Sequence, residues 1–289
     1  MLEMIWSPRK AERHPWEMFF IGFIYASLSI FLVSWIFSSD PVLSKYSGVL
    51  IVTFTVMFSL PFVYYSIKNE EERDIQEQGI LRILKEHRRA IACLLWLFIG
   101  FVVAFSLWHI VLNDPRNLNA QIETYCVINR PGNFNECVND YGLGKIKSTG
   151  FTTSSDMLLV IFSNNIYVLI FTLVFSLIFG AGAIFILAWN ASVIAAAIGI
   201  FAKTSLTRLP CGLFRYLIHG VPEIAAYFIA AMAGGIVSVA IIRHDTRTEK
   251  FWSILQDSLN LIIVAVIILF LSALVEVFIT PSIFGLVCG

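Results

Sequence analysis

Six polar side chains stand inside or beside stretches that are otherwise apolar, and these are the groups with chemistry to offer. The segment His219-Gly220-Val221-Pro222-Glu223 puts an imidazole and a carboxylate four residues apart. Pro222 suits the first position of a helix, and Glu223 would then sit in the first turn, where the helix dipole favours a negative charge. That reading makes the segment a capped helix start. A second reading makes His219 and Glu223 a buried hydrogen-bonded or proton-accepting pair, and the sequence leaves both open. Glu276 lies near the end of the last apolar run, whereas Glu223 lies near the start of the run before it. Antiparallel neighbours joined by a short loop bring those two ends to one face. Proximity of His219, Glu223 and Glu276 is therefore a geometric expectation. Two carboxylates and an imidazole can bind a cation or relay a proton, but without a nucleophile or a further strong ligand the signal for catalysis is weak.

The remaining polar groups are amides and thiols. Asn164 and Asn165 lie inside the opening of a long apolar run, and Asn190 closes it. Adjacent residues on a helix cannot both face one way, so at least one of the pair needs a partner helix or loop. His109 falls at the outer end of another run and reads as interfacial. Cys126 and Cys137, with ten residues between them, share the chain's only long polar stretch. They are expected to form a disulfide there, with Cys93, Cys211 and Cys288 unpaired. The five cysteines lack the paired spacing of a zinc site, and no nucleotide fingerprint, P-loop, HExxH or EF-hand pattern is present. No cofactor is implied.

The elements that must position these groups follow from composition. The chain is 58% hydrophobic and only 14% charged over 289 residues, with a mean hydropathy of +0.79. Soluble domains run about 45–50% apolar and about 25% charged, so one aqueous globule could not hide this surface. Disorder, a disulfide-dense toxin scaffold and a typical cytosolic enzyme are excluded. The formal net charge is zero, which leaves no global field to attract nucleic acid. An all-α, polytopic membrane bundle in contact with the lipid bilayer is the expected class, since a spanning helix needs ~20 mostly apolar residues. Candidate spans are Phe19–Phe37, Gly48–Ile67 (with Pro61 inside it), Ala90–Leu112, Leu217–Ile242 and Leu259–Ile279.

Met157–Trp189 is unusually long and is interrupted by Gly180 and Gly182; Ala191–Ala202 is apolar but short. If the first crosses once and the second is re-entrant, there are six spans. If the chain reverses at the glycines, there are seven. Six is preferred here, with a re-entrant or broken segment near 190–222, because four small apolar residues make a poor membrane-buried turn. Lys203, Arg208 and Arg215 merely exchange sides with Arg243, Arg247 and Lys250 between the two arrangements, so basic residues do not decide. They do orient the first half. Arg9, Lys10 and Arg13 precede the first span and Lys68, Arg73, Arg82, Lys85, Arg88 and Arg89 follow the second, while only Lys45 lies between. The positive-inside rule then puts the N-terminus in the cytoplasm and the cysteine loop outside. The expected organisation is a two-span segment 1–68, a cytoplasmic amphipathic helix 69–89, and a membrane domain 90–282 that includes an outside loop 113–156.

The same residues resemble the stage II sporulation protein M family of multi-pass membrane proteins. The resemblance covers roughly 80–282. It rests on Asn164-Asn165 opening a long span, Gly180 and Gly182, Asn190, His219-Gly220-x-Pro222-Glu223, Gly234-Gly235, Arg247, and Leu274-x-Glu276-x-Phe278-Ile279-Thr280-Pro281. The first ~75 residues look like an addition. The family typically has Pro before the His-Gly pair; here Ile218 and Val221 flank it and the proline falls at 222. The resemblance implies a non-enzymatic membrane scaffold, similar to the namesake, which recruits cell-wall-remodelling enzymes during engulfment in endospore formers. Family members also occur in organisms that make no spores. Membrane or extracytoplasmic protein partners, and a homo-oligomer, are compatible with that role. The competing expectations are a transporter or channel whose path is lined by His219, Glu223, Glu276 and Asn190, and an intramembrane hydrolase using His219 and the two glutamates.

Overall fold

Eight helices and no strand make up the residues that the computed structural model describes, namely 14–40, 42–73, 80–129, 136–137, 154–179, 184–204, 209–243 and 248–280. They are α1 (Glu17–Phe37), α2 (Ser47–Arg73), α3 (Ile80–Leu112), α4 (Asn119–Asn129), α5 (Ser154–Phe179), α6 (Ile184–Thr204), α7 (Leu209–Arg243) and α8 (Glu249–Leu274). A π-helical turn, Val275–Ile279, continues α8. Six of these elements contain stretches long and apolar enough to cross a membrane: Glu17–Phe37, Leu43–Tyr65, Arg88–Leu112, Ile161–Ile178, Gly220–Ile242 and Glu249–Ile279. The apolar part of α6, Ile184–Ile200, is shorter.

Burial divides the spans into a centre and a periphery. Of the α7 span, 89% is buried inside the protein, against 22% for the α5 and α8 spans and 28% for α1. The sequence of α7 suits a central rod: Ala225, Ala226, Ala230, Ala231, Ala233, Gly234, Gly235 and Ala240 let neighbours approach closely. At Gly234 an added Cβ would lie 2.8 Å from the Leu173 carbonyl oxygen of α5. Tyr227 and Phe228 fill the centre with no exposed surface, and Phe228 meets Phe98 of α3 edge-on at 6.0 Å.

The first two helices are tied to this core by glycine. A Cβ on Gly22 of α1 would collide with the Leu97 carbonyl of α3, and one on Gly100 would collide with the Phe19 carbonyl of α1. Backbone meets backbone from both sides. One end of the same crossing is closed by Trp108 Nε1, which donates to Ser27 Oγ at 2.8 Å. Between α1 and α2, Asp40 Oδ1 accepts from the backbone N–H groups of Val42 and Leu43, both at 2.8 Å. The Leu43 bond and then the Val42 bond hold this carboxyl below its ordinary value, so the turn keeps its negative charge.

Several expectations need correction. Met157–Trp189 is not one helix: α5 ends at Phe179 and α6 begins at Ile184, so the interruption falls at the glycine segment, which lies outside the described residues. Ala191–Ala202 is not a separate short piece but the second half of α6, a helix of 21 residues. Helix α6 ends at Thr204 and α7 begins at Leu209, and 205–208 lie outside the described residues. Of the expected amphipathic helix 69–89, residues 74–79 lie outside the described residues. Its first residues continue α2 to Arg73, and its last are the start of α3, which runs for 33 residues without a break from Ile80. Finally, the stretch 113–156 contains a helix, α4, that hydropathy could not reveal.

The α4 helix sits over the second half of α6. Leu118, Ile122, Tyr125, Cys126 and Cys137 form a small buried cluster with Ala196, Ala197 and Ile200. Cys126 and Cys137 are joined in a disulfide, with their Cα atoms 5.8 Å apart. Gln121 anchors the other side by donating from Nε2 to the Gly48 carbonyl at the start of α2, at 3.0 Å.

Candidate functional site

Glu223 lies on α7, and Glu276 lies in the π turn that packs against α7. Glu223 is half-buried on α7, and Tyr227, one turn on, donates its hydroxyl to Glu223 Oε1 at 2.7 Å. The spacing of four residues explains the pair, because i and i+4 side chains share a helix face. The π turn that carries Glu276 meets the helix bearing both Glu223 and Tyr227. The π turn fits one extra residue into the helix; Thr280 Oγ1 donates to the Val275 carbonyl at 3.0 Å across that wide turn. Such turns re-aim side chains and occur often at functional positions.

Pro222 does not start a helix, and Glu223 does not cap one. Helix α7 begins at Leu209 and carries Pro222 inside it. Proline has no N–H to offer the Ile218 carbonyl, and neighbouring helices make such a gap tolerable within a membrane bundle. Gly220, beside it, has open space where a Cβ would be. His219 belongs to the same helix one turn before Glu223, but its side chain lies outside the described residues.

The amides separate into three situations. Asn165 is buried, and its Nδ2 has no hydrogen-bond partner among the described residues. Asn164, next to it, is exposed on the outer face of α5. Asn190 donates from Nδ2 to the Ile186 carbonyl of its own helix at 2.8 Å.

Two buried polar residues were not singled out as site candidates. His109, at the end of α3, is buried within the protein at 3% exposed, and its ring fills the space that a side chain on Gly199 of α6 would need. Asp257 is 6% exposed within α8. Starting the last span at Leu259 hides it; the signal that finds it is Thr248, whose Oγ1 accepts from Phe251 N at 3.4 Å and caps a helix beginning at Glu249.

The arrangement is thus a phenol and two carboxyl groups where a buried helix meets a bulged one, with no nucleophile among them. The sequence pattern of the Stage II sporulation protein M family matches residues 88–281. The chain belongs to that family. The matched region runs from the apolar part of α3 past the π turn and contains Glu223, Tyr227 and Glu276, whereas α1 and α2 precede it. An uncharacterized protein of Methanocaldococcus jannaschii is 32% identical over 128 residues, covering 43% of this chain and 70% of that protein. No solved structure matches the chain.

Proposed function

We propose that this membrane protein is a non-enzymatic scaffold that holds membrane or extracytoplasmic partners in place. The observation that carries the reading is the burial of α7: the helix bearing Glu223 and Tyr227 is the packed axis of the bundle. The Tyr227–Glu223 hydrogen bond satisfies two polar groups within that one helix, so α7 can pack its length against its neighbours as a rigid platform requires. The disulfide-clamped α4 gives that platform a stiff surface. The positive-inside distribution supports a cytoplasmic N-terminus in the cell membrane and an outside position for α4, where oxidising conditions would sustain the bridge. A transporter reading draws on the same acid pair and predicts a different response to substitution.

Glu223→Gln separates a structural role from an ionic one. An amide oxygen still accepts from Tyr227, so Glu223→Gln is expected to accumulate and melt like the wild type. Glu223→Leu strands a buried phenol hydroxyl, which costs ~1–3 kcal/mol, and membrane accumulation and melting temperature fall together. Quantitative blotting and thermal melts in detergent provide both readings. Equal damage from Gln and Leu would contradict a purely hydrogen-bonding role.

A further inference from the structure

We propose that the outer face of α5 pairs with the same face of a second copy of this chain, with Asn164 as the central polar contact. Asn164, Tyr167, Phe171, Val174 and Ile178 follow one another at spacings of three and four residues, and all five are exposed. That spacing is the seam of a left-handed helix pair. Four of the five are large or β-branched side chains suited to interlocking, and the fifth is an amide. Asn164 lies seven residues beyond Met157, ~10 Å into the apolar run at 1.5 Å per residue. Hydrocarbon offers it neither donor nor acceptor.

The choice of occupant follows from the chemistry of the amide and from topology. An amide carries a donor and an acceptor, so it is its own complement. Two copies in one membrane share orientation, and a two-fold axis along the membrane normal sets Asn164 opposite Asn164 at one depth. A different partner would need its own polar group at that depth. Asn165 faces the interior of the bundle, so the adjacent pair divides its work between the fold and the interface.

The test is the monomer–dimer equilibrium of the full-length protein in lipid bilayers, measured by single-molecule photobleaching over a range of protein-to-lipid ratios. The wild type is expected to dimerise. Asn164→Leu is expected to shift the equilibrium about tenfold toward monomer, and Asn164→Gln to recover most of the loss. Thermal melting should be unchanged in both variants, because the residue is exposed. In a Tyr167→Cys variant lacking Cys93, Cys211 and Cys288, mild oxidation should give a symmetric crosslinked dimer. A wild type that stays monomeric at all ratios, a dimer indifferent to Asn164→Leu, or crosslinking only to other proteins would overturn the proposal.

Discussion

Gly100→Leu is expected to abolish membrane accumulation of the full-length protein, and Gly22→Leu to do nearly the same. Each glycine faces a backbone carbonyl on the other helix, Gly100 that of Phe19 and Gly22 that of Leu97. A flexible side chain could move aside; a helix backbone cannot do so without separating α1 from α3. Adding volume to a close-packed site commonly costs ~1–3 kcal/mol, and a clash with backbone from both sides belongs at or above the top of that range. Even Ala adds the offending Cβ, so Gly22→Ala and Gly100→Ala should each lower the melting temperature measurably. Gly220→Ala is the control. Nothing lies within 4 Å of its Cβ position, and alanine favours a helix over glycine by ~1 kcal/mol, so this variant should be neutral or more stable. Fluorescence-detected gel filtration after a temperature ramp would rank the variants. A Gly100→Leu protein that melts like the wild type would show that α1 does not cross α3 at this point.

Removing the Cys126–Cys137 bridge is the second substitution with a large expected effect. The two residues are 11 apart in sequence, and both are fully buried against α6 with Leu118, Ile122, Tyr125, Ala196, Ala197 and Ile200. Closing a loop of this size stabilises by ~2–4 kcal/mol. The cluster is small, and the α4 helix has only 11 residues, too short to hold its shape alone in water. Cys126→Ser with Cys137→Ser should therefore release α4, exposing Asn119–Asn129 to protease while the spans remain resistant. Non-reducing peptide mapping of fresh membranes should recover the two cysteines as one linked species. Recovery of both as alkylated thiols, or unchanged protease resistance in the double variant, would contradict the clamp.

The spans were legible in the sequence because hydrocarbon imposes a length and a composition, and helix boundaries there follow from both. Packing of the π turn against α7 was legible for the same reason: consecutive spans reverse direction, so the end of one meets the start of the other. What hydropathy could not show is how a helix is interrupted. Gly180 and Gly182 are compatible with a continuous helix or a break, and nothing local decides between them. Pro222 carried the opposite error. Its preference for a helix start is real, but tertiary packing kept α7 continuous from Leu209. Tyr227 was passed over because it stands in an apolar run, where its hydroxyl has little weight in any hydropathy scale. The burial of His109 was not legible because its neighbour, Gly199, is distant in sequence and acts by lacking a side chain. The α4 helix was missed because its apolar face is narrow and its stabilising contacts belong to α6.

The central claim is that the acids Glu223 and Glu276 belong to a packed, non-conducting bundle in which Glu223 accepts from Tyr227. Ion and proton flux across proteoliposomes containing the full-length wild type, Glu223→Gln or Glu276→Gln tests this most directly. The account predicts leak rates for all three equal to those of protein-free vesicles, at matched incorporation and under an imposed membrane potential. Wild-type flux that disappears in Glu223→Gln, with folding and incorporation intact, would contradict it and establish the acid pair as part of a transport path.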